Sequence, residues 1–95
     1  MKPNIAEARV GVILEGRVQG VGFRWWTRRE ATSLGLRGTV RNLDDGSVEV
    51  QVAGPTDTVA AFLLTLRSGP PGSLVTQVSA LEPAVDFPEE FRVIR

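Results

Sequence analysis

The first patterned stretch begins at residue 10, where Val10, Val12 and Leu14 alternate with Gly11, Ile13 and Glu15. This pattern predicts a strand with at least one well-buried face. Beyond a glycine-rich stretch the period lengthens, with Phe23, Thr27, Ala31 and Leu34 at helical spacing, Trp26 on the flank, and Arg28, Arg29 and Thr32 opposite. Gly35 follows where a left-handed C-terminal cap belongs, so the helix is expected to stop there. Residues 36–42 and 47–53 then read as two strands, and the Asp-Gly step in Leu43-Asp44-Asp45-Gly46 signals a tight antiparallel hairpin between them. Gly54-Pro55 is expected to break the strand and Thr56 to cap a second helix, whose stripe is Val59, Phe62, Leu63 and Leu66 and which ends at Ser68-Gly69. After the turn-rich Pro70-Pro71-Gly72-Ser73, Val75, Val78 and Leu81 mark a fourth strand, residues 83–88 a loop, and residues 91–94 a short last strand. Residues 1–8 have no usable period and are expected to form a flexible N-terminal arm ahead of one domain over residues 9–95.

The predicted order, βαββαβ plus a short terminal strand, is that of the α+β ferredoxin-like split βαβ sandwich, with two helices on one face of an antiparallel sheet. A right-handed crossover makes the first two strands parallel, and the third, hairpinned to the second, lies between them. The C-terminal ends of strands one and two then share one edge of the sheet, about 10 Å apart. Arg24 lies just past the first end and Asn42 at the second.

The stretch joining the first strand to the first helix reads Gly16-Arg17-Val18-Gln19-Gly20-Val21-Gly22-Phe23-Arg24. A glycine-rich turn into a helix start presents unpaired N–H groups at the positive end of the helix dipole, which suits an anion. Gly20-x-Gly22 does not complete a dinucleotide fingerprint, and no Lys-Ser or Lys-Thr follows to make a nucleotide P-loop, so no cofactor is implied. A strand-to-helix turn that needs glycine for backbone reasons alone is the competing reading. Arg24 bears on the choice, because a guanidinium in the first helical turn opposes the dipole unless an anion offsets both; a solvated arginine is the alternative. Asn42 likewise has two readings, as a turn residue ending a strand or as an amide whose carbonyl accepts a hydrogen bond from water.

Composition narrows the chemistry. At 95 residues, 42% hydrophobic and 23% charged, the chain has room for one core, and no apolar run approaches a membrane span. The first residues lack the apolar core of a secretory signal, so a cytoplasmic monomer with no membrane partner is expected. Eleven basic and eleven acidic residues cancel, which argues against a nucleic-acid partner. The distribution is uneven: residues 1–47 carry eight basic and five acidic groups, residues 48–95 three and six, so the glycine stretch sits in the basic half. There is no His, Cys or Tyr. A serine nucleophile would lack an imidazole base, thiol chemistry is excluded, and zinc would find only carboxylates. Asp44 and Asp45 read as hairpin residues rather than Mg²⁺ ligands, and no metal is assigned.

Gly16 to Arg24, followed by Gly35-Leu36, Gly38 and Val40-Arg41-Asn42, then Asp45-Gly46-Ser47-Val48-Glu49-Val50, resembles the acylphosphatase family, as do the Gly54-Pro55 and Gly69-Pro70-Pro71-Gly72 breaks. The resemblance covers nearly all of residues 9–95. It implies cofactor-free hydrolysis of acyl phosphates to carboxylate and inorganic phosphate by in-line attack of water. The phosphate would be held by the loop of Arg17, Val18, Gln19, Gly20, Val21 and Gly22 together with Arg24, and Asn42 would position the water. The absences then make chemical sense: the departing carboxylate has a conjugate acid of pKa about 4 and needs no general acid. No general base is evident, and the substrate phosphate is a candidate acceptor for the water's proton.

Trp25 and Trp26 stand where smaller aromatics are expected, and Thr39 where an aromatic is common. Helical phase puts Trp25 opposite the Phe23 stripe, and its bulk favours packing under Arg29 over exposure beside the loop. Three rival readings remain: a non-catalytic phosphate-sensing module of the same fold, an acylphosphatase-like domain of a carbamoyl-transfer maturation protein, and, more distantly, a sheet-based RNA binder, against which residues 48–52 offer no stacking aromatics.

Overall fold

The structure, a computed structural model, describes residues 6–95. The elements in chain order are β1 (Glu7–Arg17), α1 (Phe23–Ser33), β2 (Arg37–Asn42), β3 (Val48–Pro55), α2 (Thr56–Ser68), β4 (Leu74–Leu81) and β5 (Phe91–Ile94). They build a five-stranded sheet in the order β4-β1-β3-β2-β5, with α1 over β2 and β5 and α2 over β3 and β4. This is the ferredoxin-like plan expected from the periodicity. The last strand adds a detail that periodicity does not carry: β5 runs parallel to β2, so the sheet is mixed.

The expected positions form the core, except Leu34 of the first helical stripe, which caps α1 and is exposed. Val12 and Leu14 of β1, Val40 of β2, and Val48, Val50 and Val52 of β3 face Phe23, Ala31, Val59, Phe62 and Leu66 from the helices. Each fully buried side chain of this size contributes about 1.5–3 kcal/mol of hydrophobic free energy. Phe62 meets Phe91 edge to face, with ring centroids 6.0 Å apart, which ties α2 to the last strand. The chain between β4 and β5 packs on part of the sheet's other face. There Gln51 donates to the Glu82 carbonyl and accepts from the Ala84 N–H, while Arg9 donates to the Val85 carbonyl and stacks over Phe87.

Several boundaries move. Of the arm expected over residues 1–8, residues 1–5 lie outside the described residues, while Glu7 and Ala8 are already in β1, paired with Pro55 and Gly54. β1 also runs on through Gly16 and Arg17, with a register shift at Glu15/Gly16 against β4. Thr56 is not a cap: Pro55 occupies that position, β3 passes directly into α2, and the Thr56 N–H and hydroxyl both donate to the Ala6 carbonyl. At the end of α1 the Leu36 N–H bonds to the Ala31 carbonyl and the Gly35 N–H to that of Thr32, the paired bonds of a Schellman stop.

Candidate active site

The register places the two halves of the site at one edge. Leu14 of β1 and Asn42 of β2 both pair with Val48 of β3, so the chain leaves β1 toward α1 beside the hairpin that begins at Asn42. Five residues hold the loop between β1 and α1. Val18 is fully buried and Val21 packs against the core, so both valines anchor it from below. Gly20 and Gly22 lie between and after them with φ of 77° and 76°, a left-handed backbone that glycine adopts without strain. Among the described residues the N–H groups of Gln19, Gly20, Val21 and Gly22 have no protein acceptor, and α1 starts without a side-chain cap. A Cβ built on Gly20 or Gly22 would meet nothing within 4 Å, so the space above the loop is open.

Gln19 is the fifth, and sequence reasoning missed its side chain. Its amide nitrogen donates to the Leu43 carbonyl at 2.8 Å and to the Ser47 carbonyl at 2.9 Å, clipping the loop to both ends of the β2–β3 turn. The turn is itself held by Leu43 N–H to Ser47 C=O and Gly46 N–H to Leu43 C=O. Asp45 completes it by accepting from the Ser47 N–H at 3.0 Å and from the Ser47 hydroxyl, and those bonds lower the Asp45 pKa below its ordinary 3.8. The carboxylate is thus engaged within the turn, as expected of a hairpin residue.

A cavity of about 180 Å³ opens above the loop. Of the residues expected to act there, Val18, Gln19, Gly20, Gly22, Arg24 and Asn42 line it, joined by Phe23 and Trp25. Arg17 and Val21 do not: Arg17 ends β1 as an exposed strand residue, and Val21 is turned toward the core. Trp25 also departs from expectation. It is 54% exposed rather than packed, whereas Trp26 takes the inward position, tilted against Phe23 with ring centroids 5.4 Å apart. One residue of helical phase separates the two rings, which puts Trp26 beside the Phe23 stripe and Trp25 outside it.

Arg24 makes no ion pair among the described residues, and its one hydrogen bond is a long one of 3.5 Å to the Ile94 carbonyl of β5. The Asn42 side chain has no hydrogen bond among the described residues. The two helices differ in how they treat their dipoles. α2 has Asp57 in its first turn and Arg67 in its last, the stabilising arrangement, whereas α1 has no acidic residue in its first turn and carries Arg24 there instead. The helix that opens the site is therefore charged against its own dipole, an arrangement that a bound anion relieves. Free N–H donors, a free guanidinium and an unengaged amide around one small cavity suit a compact, multiply charged oxyanion and a water beside it.

Comparisons with known proteins point to one family. The family model described as Acylphosphatase matches residues 10–93. The acylphosphatase of Rhizobium etli is 48% identical over 88 residues, covering 88% of this chain and 90% of that protein. That of Thermotoga maritima is 46% identical over 80 residues, covering 84% and 89%. Among solved structures, the acylphosphatase from Bacillus subtilis superposes with a TM-score of 0.85 at 35% identity, covering 92% of this chain and 98% of that one.

Proposed function

The chain belongs to the acylphosphatase family and hydrolyses acyl phosphates, and on that premise we propose that Arg24 and the loop hold the phosphoryl group while Asn42 places the attacking water. The observation that carries this division is the shared cavity, in which unpaired loop N–H groups, Arg24 and Asn42 meet around about 180 Å³. The N–H groups of Gln19, Gly20 and Gly22 and the Arg24 guanidinium receive the equatorial phosphoryl oxygens. In a loose transition state the phosphoryl group flattens and its charge is spread over these three oxygens, so donors fixed in advance for that planar arrangement stabilise it more than they stabilise the tetrahedral ground state. The Asn42 carbonyl accepts a hydrogen bond from water and aims its lone pair along the line opposite the leaving oxygen. The P–O bond to the acyl group breaks as the water oxygen bonds to phosphorus, the electron pair leaves on the carboxylate, and the water's proton passes to the phosphoryl oxygens. No chain residue has to supply a proton.

Two substitutions test the division. Arg24→Ala should reduce benzoyl phosphate hydrolysis by at least about a thousandfold and weaken inhibition by inorganic phosphate. Asn42→Ala should lower kcat to a similar degree while the phosphate inhibition constant stays within about threefold. Undiminished turnover in either variant would refute the assigned role. The anion-sensing alternative predicts phosphate binding without turnover in the wild type and is not favoured, given relatives at 46–48% identity that are acylphosphatases. Identity to HypF from T. kodakarensis is lower, at 30%, and this chain covers 12% of that one.

A further inference from the structure

Trp25 belongs to two cavities at once. Besides the site cavity it lines a second, more open and more apolar one of about 460 Å³ on the outer face of α1, whose other walls are Arg28, Arg29, Thr32 and Ser33. These positions are spaced i, i+3, i+4, i+7 and i+8 from Trp25, so they form one stripe running from the phosphate loop toward the helix C-terminus. At 1.5 Å of rise per residue, Arg28 and Arg29 lie about 4.5–6 Å farther along the axis than Trp25. Both arginines are exposed, and neither has a hydrogen bond or ion pair among the described residues, in contrast to Arg9, Arg37, Arg41 and Arg92, which all pair with glutamates. Like charges at Arg24 and Arg28, one turn apart near a positive helix end, disfavour the free helix.

We propose that this stripe is the subsite for the acyl group, and that the preferred substrates are acyl phosphates with a flat apolar or aromatic body carrying a second anionic group. The inference rests on the acyl phosphate reading of the adjoining cavity. With the phosphoryl group on the loop and Arg24, the acyl carbon is directed past Trp25, the one residue common to both cavities. The indole face covers the apolar body, and an anion one helical turn farther on meets Arg28 and Arg29. A small acyl group such as acetyl ends before Trp25 and gains nothing from the stripe.

Three substrates separate the contributions: acetyl phosphate, benzoyl phosphate and 4-carboxybenzoyl phosphate, each assayed on wild type, Trp25→Ala, Trp25→Phe and the double variant Arg28→Gln/Arg29→Gln. Taking kcat/KM of wild type over variant for each substrate cancels the substrates' intrinsic reactivities. Trp25→Ala should cost benzoyl phosphate about tenfold more than acetyl phosphate, and Trp25→Phe should restore most of that difference. The arginine variant should cost 4-carboxybenzoyl phosphate about fivefold more than benzoyl phosphate at low salt, the gap closing as salt is raised. Equal losses on benzoyl and acetyl phosphate would overturn the apolar part of the subsite, and equal losses on the two benzoyl substrates its anionic part. A wild type that hydrolyses none of the three overturns the acyl phosphate reading itself, a result distinct from normal turnover without selectivity.

Discussion

Gln19 connects the phosphate loop to the strand end that carries Asn42, and replacing it with methionine tests what that connection does. Methionine nearly conserves volume and removes both donors. The carbonyls it leaves are not stranded, since Leu43 C=O keeps the Gly46 N–H at 3.2 Å and Ser47 C=O keeps the Leu43 N–H at 2.9 Å. The loss is therefore that of two net hydrogen bonds, about 2 kcal/mol in all, and not the larger penalty of an unsatisfied buried carbonyl. In a domain of this size that corresponds to a fall in Tm of about 8–16 °C. The functional consequence is more specific. Val18, Val21 and the two glycines still shape the loop, so its N–H groups and Arg24 bind phosphate as before, but the loop is free to drift relative to Asn42. Because a misplacement of about 1 Å between reacting groups costs on the order of a hundredfold, a partial drift should lower kcat about tenfold. The assay is steady-state hydrolysis of benzoyl phosphate with inorganic phosphate as competitive inhibitor, alongside thermal unfolding. A phosphate inhibition constant that rises in step with the fall in kcat would refute the positioning argument, as would a variant with unchanged kcat and Tm.

Gly22→Ala should fold, since the added methyl meets nothing within 4 Å, but the left-handed φ of 76° costs about 1–2 kcal/mol, and relief of that strain turns the first amides of α1. Phosphate inhibition should weaken several-fold, and an unaltered inhibition constant would show that the loop backbone plays no part in binding. Asp45→Asn should lower stability at neutral pH by an amount that shrinks as pH falls. The Asp45 pKa is depressed in the folded state, chiefly by the Ser47 hydroxyl, so its stabilisation is complete above about 3.8 and lost as pH drops through the lower folded value. Urea midpoints of both proteins from pH 7 to 2 check this, and a gap independent of pH would contradict it. Thr27 is fully buried on α1 with a hydroxyl that has no partner among the described residues, so Thr27→Val should raise stability by about 1 kcal/mol. A lower Tm for that variant would mean that the hydroxyl is hydrogen-bonded in solution.

Periodicity and punctuation, both local, determined much of this protein. The alternation at Val10–Leu14, the helical stripes of Phe23-Thr27-Ala31 and Val59-Phe62-Leu66, and the Asp45-Gly46 turn specify elements whose apolar faces fit together in one way, and that topology brings Arg24 and Asn42 to one edge. Tertiary structure decided what depends on residues distant in the chain. Helical phase already sets Trp25 apart from the Phe23 stripe, yet only the assembled fold leaves it exposed at the mouth of the site rather than packed under Arg29. Gln19 had the composition of a loop residue, and its partners lie 24 and 28 residues away. Thr56 carried a capping signal, but a nearby carbonyl, that of Ala6, claimed its hydroxyl once β1 paired with β3. The direction of β5 was equally unreadable, because four residues carry no record of which edge they will meet. Backbone conformation is written residue by residue, whereas a polar or aromatic side chain goes wherever the assembled fold offers a partner.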